Sequence, residues 1–172
     1  MHDSNLVFRE LNLKEGDSFL DLGCGPGDYA LHAAHIIADS GMVYALDKWK
    51  YMIDGLKQKA EAQGLKNIKA IVCDITDQLP IEDSCIDVCF LATVLHTLNP
   101  PTGTENLFKE IRRVLKLDGR MVMINCKKED QPFGPPLHLR LSPEEVEETL
   151  EEYGFKMINY VDLGYNYMTN IA

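Results

Sequence analysis

Asp21, Gly23, Gly25 and Gly27 are the residues whose types and spacing point most directly to chemistry. They sit in the stretch Ser18-Phe-Leu-Asp-Leu-Gly-Cys-Gly-Pro-Gly-Asp-Tyr29, with Cys24 inside the glycine run. The apolar run from Phe19 to Leu22, broken by Asp21, reads as a buried strand. Glycines at alternate positions then read as a tight turn, and a helical pattern starts near Asp28. A side chain at these glycines would block close approach of a ligand to the backbone, or would strain residues of positive φ. The free N–H groups of the next helix point at the same spot. The turn therefore reads as a site for a nucleotide-like small molecule.

Two later carboxylates narrow the ligand. Asp47 lies 24 residues past Gly23, at the end of an apolar run. There it can accept hydrogen bonds from both hydroxyls of an adenosine ribose, and its charge rejects a 2′-phosphate. Asp74 ends another apolar run. It can accept from an adenine amino group while the Ile75 N–H donates to a ring nitrogen. Asp21 can fix the glycine turn or, through water, hold an ammonium group. A dinucleotide site wants a third glycine where this chain has Asp28, and a carboxylate there would repel a pyrophosphate. A zwitterionic ligand carrying a sulfonium has no phosphate to repel, so Asp-x-Gly-x-Gly-x-Gly suits adenosylmethionine better. No Gly-Lys-Ser/Thr follows, which excludes a Walker-type phosphate loop.

Strands alternating with helices must position these groups. The patterns predict strands at 18–22, 42–46, 68–72, 86–91 and 120–125, and helices at 28–38, 49–63 and 104–116. Residues 76–84 read as a polar loop, and Lys116–Gly119 as a helix-to-strand turn. Ser142, with Pro143 and two acids behind it, starts a further helix that Gly154 ends. Strands at 155–162 and 165–171 form a hairpin through Gly164. Residues 1–15 are a lead with one weak helical stripe. Residues 126–141, with Pro132, Pro135 and Pro136, are a variable loop on the acceptor side. This alternation predicts an α/β fold, a doubly wound, mostly parallel sheet with helices on both faces. In such sheets ligands sit beyond the carboxyl ends of the strands. Asp21, Asp47, Asp74 and the Leu91-Ala92-Thr93 segment all fall at such ends.

The chain has 172 residues, 45% hydrophobic and 26% charged, which fits one ordinary globular domain over 1–172. Its net charge of −10 argues against a nucleic-acid partner. Lys109, Arg112, Arg113 and Lys116 read as a solvated helix face. Five scattered cysteines, with no C-x-x-C pair and no signal peptide, favour free thiols and a cytoplasmic location. No apolar run approaches the ~20 residues that span a bilayer. Cys85 and Cys89 share a strand face without a third ligand nearby, so no metal site is expected.

Four segments together resemble a known family. Phe19-Leu-Asp-Leu-Gly-Cys-Gly-Pro-Gly27 is similar to the first motif of class I S-adenosylmethionine-dependent methyltransferases. Val43-Tyr-Ala-Leu-Asp47 is similar to the second, and Cys73-Asp74 with Leu79-Pro80 to the third. Asp87-Val88, Leu95-His96-Thr-Leu98 and Glu110 to Arg120 resemble the fourth strand and the helix-strand turn after it. Within the class, the chain most resembles the ubiquinone/menaquinone-biosynthesis methyltransferase-like proteins, closely over residues 16–125. The resemblance implies a Rossmann-like sheet of order 3-2-1-4-5-7-6 with an antiparallel last strand. It implies S-adenosylmethionine as cofactor, contacted by Asp21, Gly23, Cys24, Gly25, Gly27, Asp47, Lys48, Met52, Asp74, Ile75, Leu91 and Ala92. Lys48 and Trp49 depart from the family, which often has a small residue after the acid. Trp49 either flanks the adenine or packs in the core.

The reaction so implied is methyl transfer by in-line displacement at a sulfonium carbon. Positioning and exclusion of water carry much of such catalysis. A general base is needed only where the acceptor must lose a proton. His96, five residues past the fourth strand, is the first candidate base, and its alternative is a packed loop histidine. His138 is the second. His32 and His35 read as solvated or packed helix residues. Acceptor contacts are expected from residues 1–10, the 93–103 loop and the 126–141 loop, where Phe133, His138 and Arg140 supply apolar, titratable and cationic groups. Asn99-Pro-Pro-Thr102 differs from the motif of nucleic-acid amino-methylating enzymes by distance from the strand and by Thr102 in the aromatic's place. It reads as a turn. The leading function is methylation of a small-molecule acceptor by a monomer or homodimer. The alternatives are methylation of protein or RNA, or a non-catalytic adenosylmethionine-binding subunit.

Overall fold

A computed structural model describes residues 4–98 and 102–172. Among these residues seven strands form one sheet: β1 (Ser18–Leu22), β2 (Met42–Asp47), β3 (Ile68–Val72), β4 (Ile86–Ala92), β5 (Leu115–Cys126), β6 (Met157–Asp162) and β7 (Asn166–Ile171). Their order is β3-β2-β1-β4-β5-β7-β6. β1 to β5 pair in parallel, and β7 runs antiparallel between β5 and β6. This is the predicted order with the predicted antiparallel strand.

Among the described residues, five helices cover the sheet: α1 (Ser4–Leu11), α2 (Asp28–Ile37), α3 (Lys50–Ala62), α4 (Thr102–Val114) and α5 (Pro143–Glu151). Phe19, Val43, Ala45, Val88 and Phe90 bury against α1, α2 and α3. Leu20, Leu22, Leu46, Cys89 and Leu91 bury with α4 and α5 on the other face. A parallel strand buried on both faces needs a nearly continuous apolar sequence, which is what these runs supply. Asp21 is the exception, and it lies at the strand end that faces the site. α5 starts as expected: the Glu145 N–H donates to Ser142 Oγ at 3.3 Å, and the Ser142 N–H donates to Glu145 Oε2 at 2.8 Å.

Two elements differ from the sequence expectation. β5 begins at Leu115, five residues early, because Leu115 already pairs with Ile86. The next pair is Val88 with Arg120, so Lys116–Gly119 bulge out of the ladder. A turn read from glycine and charge is here a long bulge inside the strand. The N-terminal stripe is a full helix that buries Val7, Phe8 and Leu11. The Arg120 guanidinium donates to the Leu11 carbonyl and ties the end of α1 to the sheet. Asn99 to Pro101 of the Asn-Pro-Pro segment lie outside the described residues.

The loop between β3 and β4 is anchored from α4. Arg113 donates to the carbonyls of Ile81 and Leu79 at 2.8 and 3.1 Å, and to the Asp83 and Glu110 carboxylates, both at 2.6 Å. Glu110 accepts the Leu79 N–H at 2.8 Å, and Asn106 donates to the Thr76 carbonyl at 2.7 Å. These contacts hold the segment just after Asp74. Arg113→Met is expected to lower stability by about 2–3 kcal/mol, since it strands Glu110 and two carbonyls. Urea unfolding checks the magnitude. Hydrogen exchange should show the Leu79 amide losing protection before the sheet amides do.

Candidate active site

The carboxyl ends of β1, β2, β3 and β4 enclose a cavity of ≈ 490 Å³, within the roughly 300–1,000 Å³ usual for small-molecule sites. Its walls are Asp21 and the 23–26 turn, Asp28 and Tyr29, Asp47 to Trp49, Asp74 and Ile75, and Ala92 to Val94 with Thr97 and Leu98.

The glycine turn is stapled to the end of β2. The Gly23 and Cys24 N–H groups both donate to the Leu46 carbonyl, at 2.8 and 2.9 Å. The Gly25 N–H donates to Asp47 Oδ2 at 2.9 Å, and the Trp49 N–H donates to Asp47 Oδ1 at 2.8 Å. One carboxylate thus sets the turn and the entry to α3. Lys59, from α3, closes the outside of the turn by donating to the Pro26 carbonyl at 3.0 Å and to Asp28 at 3.1 Å.

The three glycines do different jobs. Gly25 has φ +51°, and a Cβ on it would meet no protein atom within 4 Å. It lies on the cavity wall, so a side chain there would enter the cavity. Gly27 has φ +81°, and its Cβ would lie 2.4 Å from a Leu56 methyl. It is not on the cavity wall, and its missing side chain lets α2 pack closely against Leu56 of α3. Gly23 is covered by Val94, whose Cγ2 would stand 2.8 Å from an added Cβ.

Asp21 is the least satisfied group in the cavity. It is 2% exposed, and its Oδ2 has no hydrogen-bond partner. Burial first, and the Asp47 charge second, push its carboxyl up to about 7, against a backbone N–H from Ala30 that favours the ionised form. Burial and Asp21 together push the Tyr29 phenol up to about 12. Burial, with Asp21 and Asp47 nearby, raises the Cys24 thiol far enough to keep it neutral. Asp74 is the opposite case. Its Oδ1 accepts the Thr76 N–H at 3.0 Å and the Thr76 hydroxyl at 2.8 Å, and these bonds hold its carboxyl below the usual range.

The cavity brings together most of the expected cofactor residues: Asp21, Gly23, Cys24, Gly25, Asp47, Lys48, Asp74, Ile75 and Ala92. Met52 sits half-buried on α3, and Leu91 is fully buried against α4, so neither lines it. Trp49 is 54% exposed on the cavity wall, with the Lys48 ammonium 5.4 Å from its ring. This decides against core packing. Asp28 also lines the cavity, but its pairing with Lys59 weakens the pyrophosphate repulsion inferred from its charge.

The acceptor-side expectations fare less well. Arg140 is 5% exposed, and its donors go to the carbonyls of Pro135, Lys127, Glu129 and Phe133. Four of its five N–H donors thus hold its own loop. Phe133 packs edge-on against Tyr165, with ring centroids 4.7 Å apart, and does not line the cavity. His138 is exposed and also lies away from it. His96, in a 3-10 turn at Leu95–Thr97, faces a neighbouring small cleft. Sequence reasoning missed Tyr29, Val94 over Gly23, and the Lys59 clamp. Thr93 has a left-handed φ of 54°, rare for a β-branched residue, and no local sequence signal announces it.

Comparison with known proteins agrees with the fold. A family model described as a methyltransferase domain matches residues 13–169. The chain is 34% identical over 113 residues to a 2-phytyl-1,4-naphtoquinone methyltransferase of Trichormus variabilis, covering 65% of this chain and 48% of that protein. It is 33% identical over 126 residues to a demethylmenaquinone methyltransferase of Geobacillus kaustophilus, covering 73% and 51%. The chain thus spans about half the length of these curated relatives. A solved structure of a SAM-dependent methyltransferase from Aquifex aeolicus superposes with a TM-score of 0.89 at 30% identity, over 99% of this chain and 89% of that one. The family match runs from before β1 into β7, across the whole sheet, and the chain belongs to the class I S-adenosylmethionine-dependent methyltransferases.

Proposed function

We propose that this chain transfers a methyl group from S-adenosylmethionine to a small-molecule acceptor. The observation that carries the reading is the buried, unpartnered Asp21 Oδ2, set beside a glycine whose missing side chain leaves the cavity open. An orphaned carboxylate oxygen in a nearly dry wall fits a cationic group. The ammonium and sulfonium of adenosylmethionine carry positive charge, and no phosphate. Asp47 keeps lone pairs beyond its two backbone donors, and these suit the ribose hydroxyls. Asp74 Oδ2 and the Ile75 N–H suit the adenine edge, with exposed Trp49 beside it. Thr97 and Leu98 leave the opposite wall to the acceptor.

When bound, the cofactor supplies a methyl group already activated on a sulfonium, with a neutral thioether as leaving group. The chain's work is then placement. Asp47 fixes the turn that receives the amino-acid end. Val94 and Tyr29 close apolar surface around it, excluding water from the line of transfer. The net charge of −10 and the named relatives favour a small acceptor over nucleic acid.

Titration calorimetry should show binding of S-adenosylmethionine and S-adenosylhomocysteine, and none of NAD. Release of S-adenosylhomocysteine against a panel of small acceptors then tests turnover. Tight NAD binding without adenosylmethionine binding would overturn the proposal. Asp47→Ala is expected to weaken adenosylmethionine about 10- to 100-fold, the loss of one or two hydrogen bonds to a charged acceptor.

Asp21 makes binding and stability depend on pH in opposite directions. Its folded pKa of about 7 lies above its ordinary 3.8. The unliganded fold therefore holds an extra proton between these values, and its stability falls as pH rises from about 4 through 7. A cation in the cavity favours the ionised form, so adenosylmethionine affinity should rise over the same range, with proton release. Calorimetry in buffers of different ionisation enthalpy reads that proton. Asp21→Asn should flatten both profiles.

A further inference from the structure

The sheet ends in two edge strands, β3 and β6, and they differ. An edge strand presents unpaired N–H and C=O groups that invite another strand. β6 is blunted: its register against β7 shifts between Met157 and Asn159, and such a bulge twists an edge away. β3 keeps an unbroken register with β2, from Ile68 opposite Val43 to Val72 opposite Asp47. The Val43 N–H donates to the Asn67 carbonyl at 2.8 Å, and the Cys73 N–H donates to the Asp47 carbonyl at 3.0 Å. Backbone groups alternate in direction along a strand. Asn67, Lys69, Ile71 and Cys73 therefore face β2, while Ile68, Ala70 and Val72 turn their N–H and C=O outward. Among the described residues these outward groups meet no partner.

The usual guard of an edge is also turned aside. An edge lysine deters pairing, but the Lys69 ammonium lies 5.1 Å from the centre of the Tyr44 ring, over β2. Val72 is 49% exposed. Between the edge and α3 runs a groove of ≈ 280 Å³, with Lys57, Ala60, Glu61, Leu65, Ile68 and Ala70 among its walls. The ion pairs of α3 are Lys50 with Asp54 and Lys59 with Asp28. Lys57 and Glu61, one turn apart in the groove, enter no ion pair among the described residues.

We propose that the edge of β3 pairs antiparallel with the same edge of a second copy of this chain, about a two-fold axis at Ala70. In that register Ala70 meets Ala70, and Ile68 meets Val72 of the second copy. All of these face outward, so each donates and accepts across the axis. Opposed residues share a sheet face, which seats the exposed Val72 of each copy beside Ile68, in the groove of the other. The two α3 helices then run antiparallel on one face. Each packs over β2 and β3, so their axes stand two strand spacings apart, about 10 Å, a distance at which helices pack. Lys57 of each helix comes against Glu61 of the other. Beyond the strand ends, Lys66 falls toward Asp74 of the second copy. Hydrogen bonds, apolar surface and charge are thus self-complementary across the axis. Pairing β3 with β6 instead would meet the bulge and would not close.

Sedimentation velocity on the whole chain, from about 1 to 300 µM, spans the affinities of a modest interface. The chain should move from monomer to dimer mass as concentration rises. Hydrogen exchange should slow at the amides of Ile68, Ala70 and Val72 as the dimer forms. The Lys69 and Ile71 amides, already paired with β2, should stay protected throughout. Ala70→Pro removes the central outward N–H, a change that an edge strand tolerates, and should abolish the dimer. Val72→Lys, at an exposed position, provides the same comparison where proline disturbs the fold. Lys57→Glu and Glu61→Lys should each weaken the dimer about tenfold, and the two together should restore it. A monomer at every concentration, a dimer that survives both edge variants, outward amides that stay fast in the dimer, or a double swap no better than the single ones would overturn the pairing. A strand of another protein on this edge would leave the pure chain monomeric, which is the first of these outcomes.

Discussion

The site depends on one carboxylate that accepts from two directions. Asp47 takes the Gly25 N–H on one oxygen and the Trp49 N–H on the other. The first bond fixes the turn after β1, and the second fixes the approach to α3. The Leu46 carbonyl, one residue earlier, accepts from Gly23 and Cys24. The end of β2 is therefore the template on which the end of β1 is shaped. These groups are far apart in sequence and meet only because β1 and β2 pair in register, with Leu22 opposite Leu46. The ligand-sized cavity is thus a consequence of that pairing.

That arrangement places two acids side by side with little solvent. Asp47 has backbone donors to support its charge, whereas Asp21 keeps one oxygen unpaired. Their repulsion falls on the partner with weaker support. The charge on the inner wall is thus of a kind that a positive ligand would offset. Lys59 does not serve this purpose, since it spends its donors outside, on Pro26 and Asp28.

Much of this was legible in the sequence, for physical reasons. Strands buried on both faces wrote themselves as apolar runs, and polar groups allowed inside stood out as Asp21, Asp47 and Asp74. Five of seven strands were located to within a residue at each end that mattered. What was not legible depended on contacts between distant segments. Gly27 shares the spacing of its neighbours, yet it faces Leu56 and not the cavity. Arg140 looked like a substrate cation because a sequence does not show four carbonyls folding around it. His96 falls at the right strand end, but whether it faces the cavity or the small cleft is set by a single 3-10 turn. The early start of β5 came from pairing at Ile86, which overrode the turn chemistry of Lys116–Gly119.

The loop around Arg140 has one more consequence. Its guanidinium is solvated by peptide carbonyls drawn from Lys127, Glu129, Phe133 and Pro135. Physically this resembles a calcium-binding loop in which the ion has been replaced by a tethered side chain. Order in such a loop is cooperative, because its carbonyls share one positive centre. A lysine cannot substitute, as a point charge lacks the planar fork that reaches all four carbonyls. Residues 127–140 are therefore a wall poured around a resident ion, rigid as long as that ion stays and unable to fold by halves.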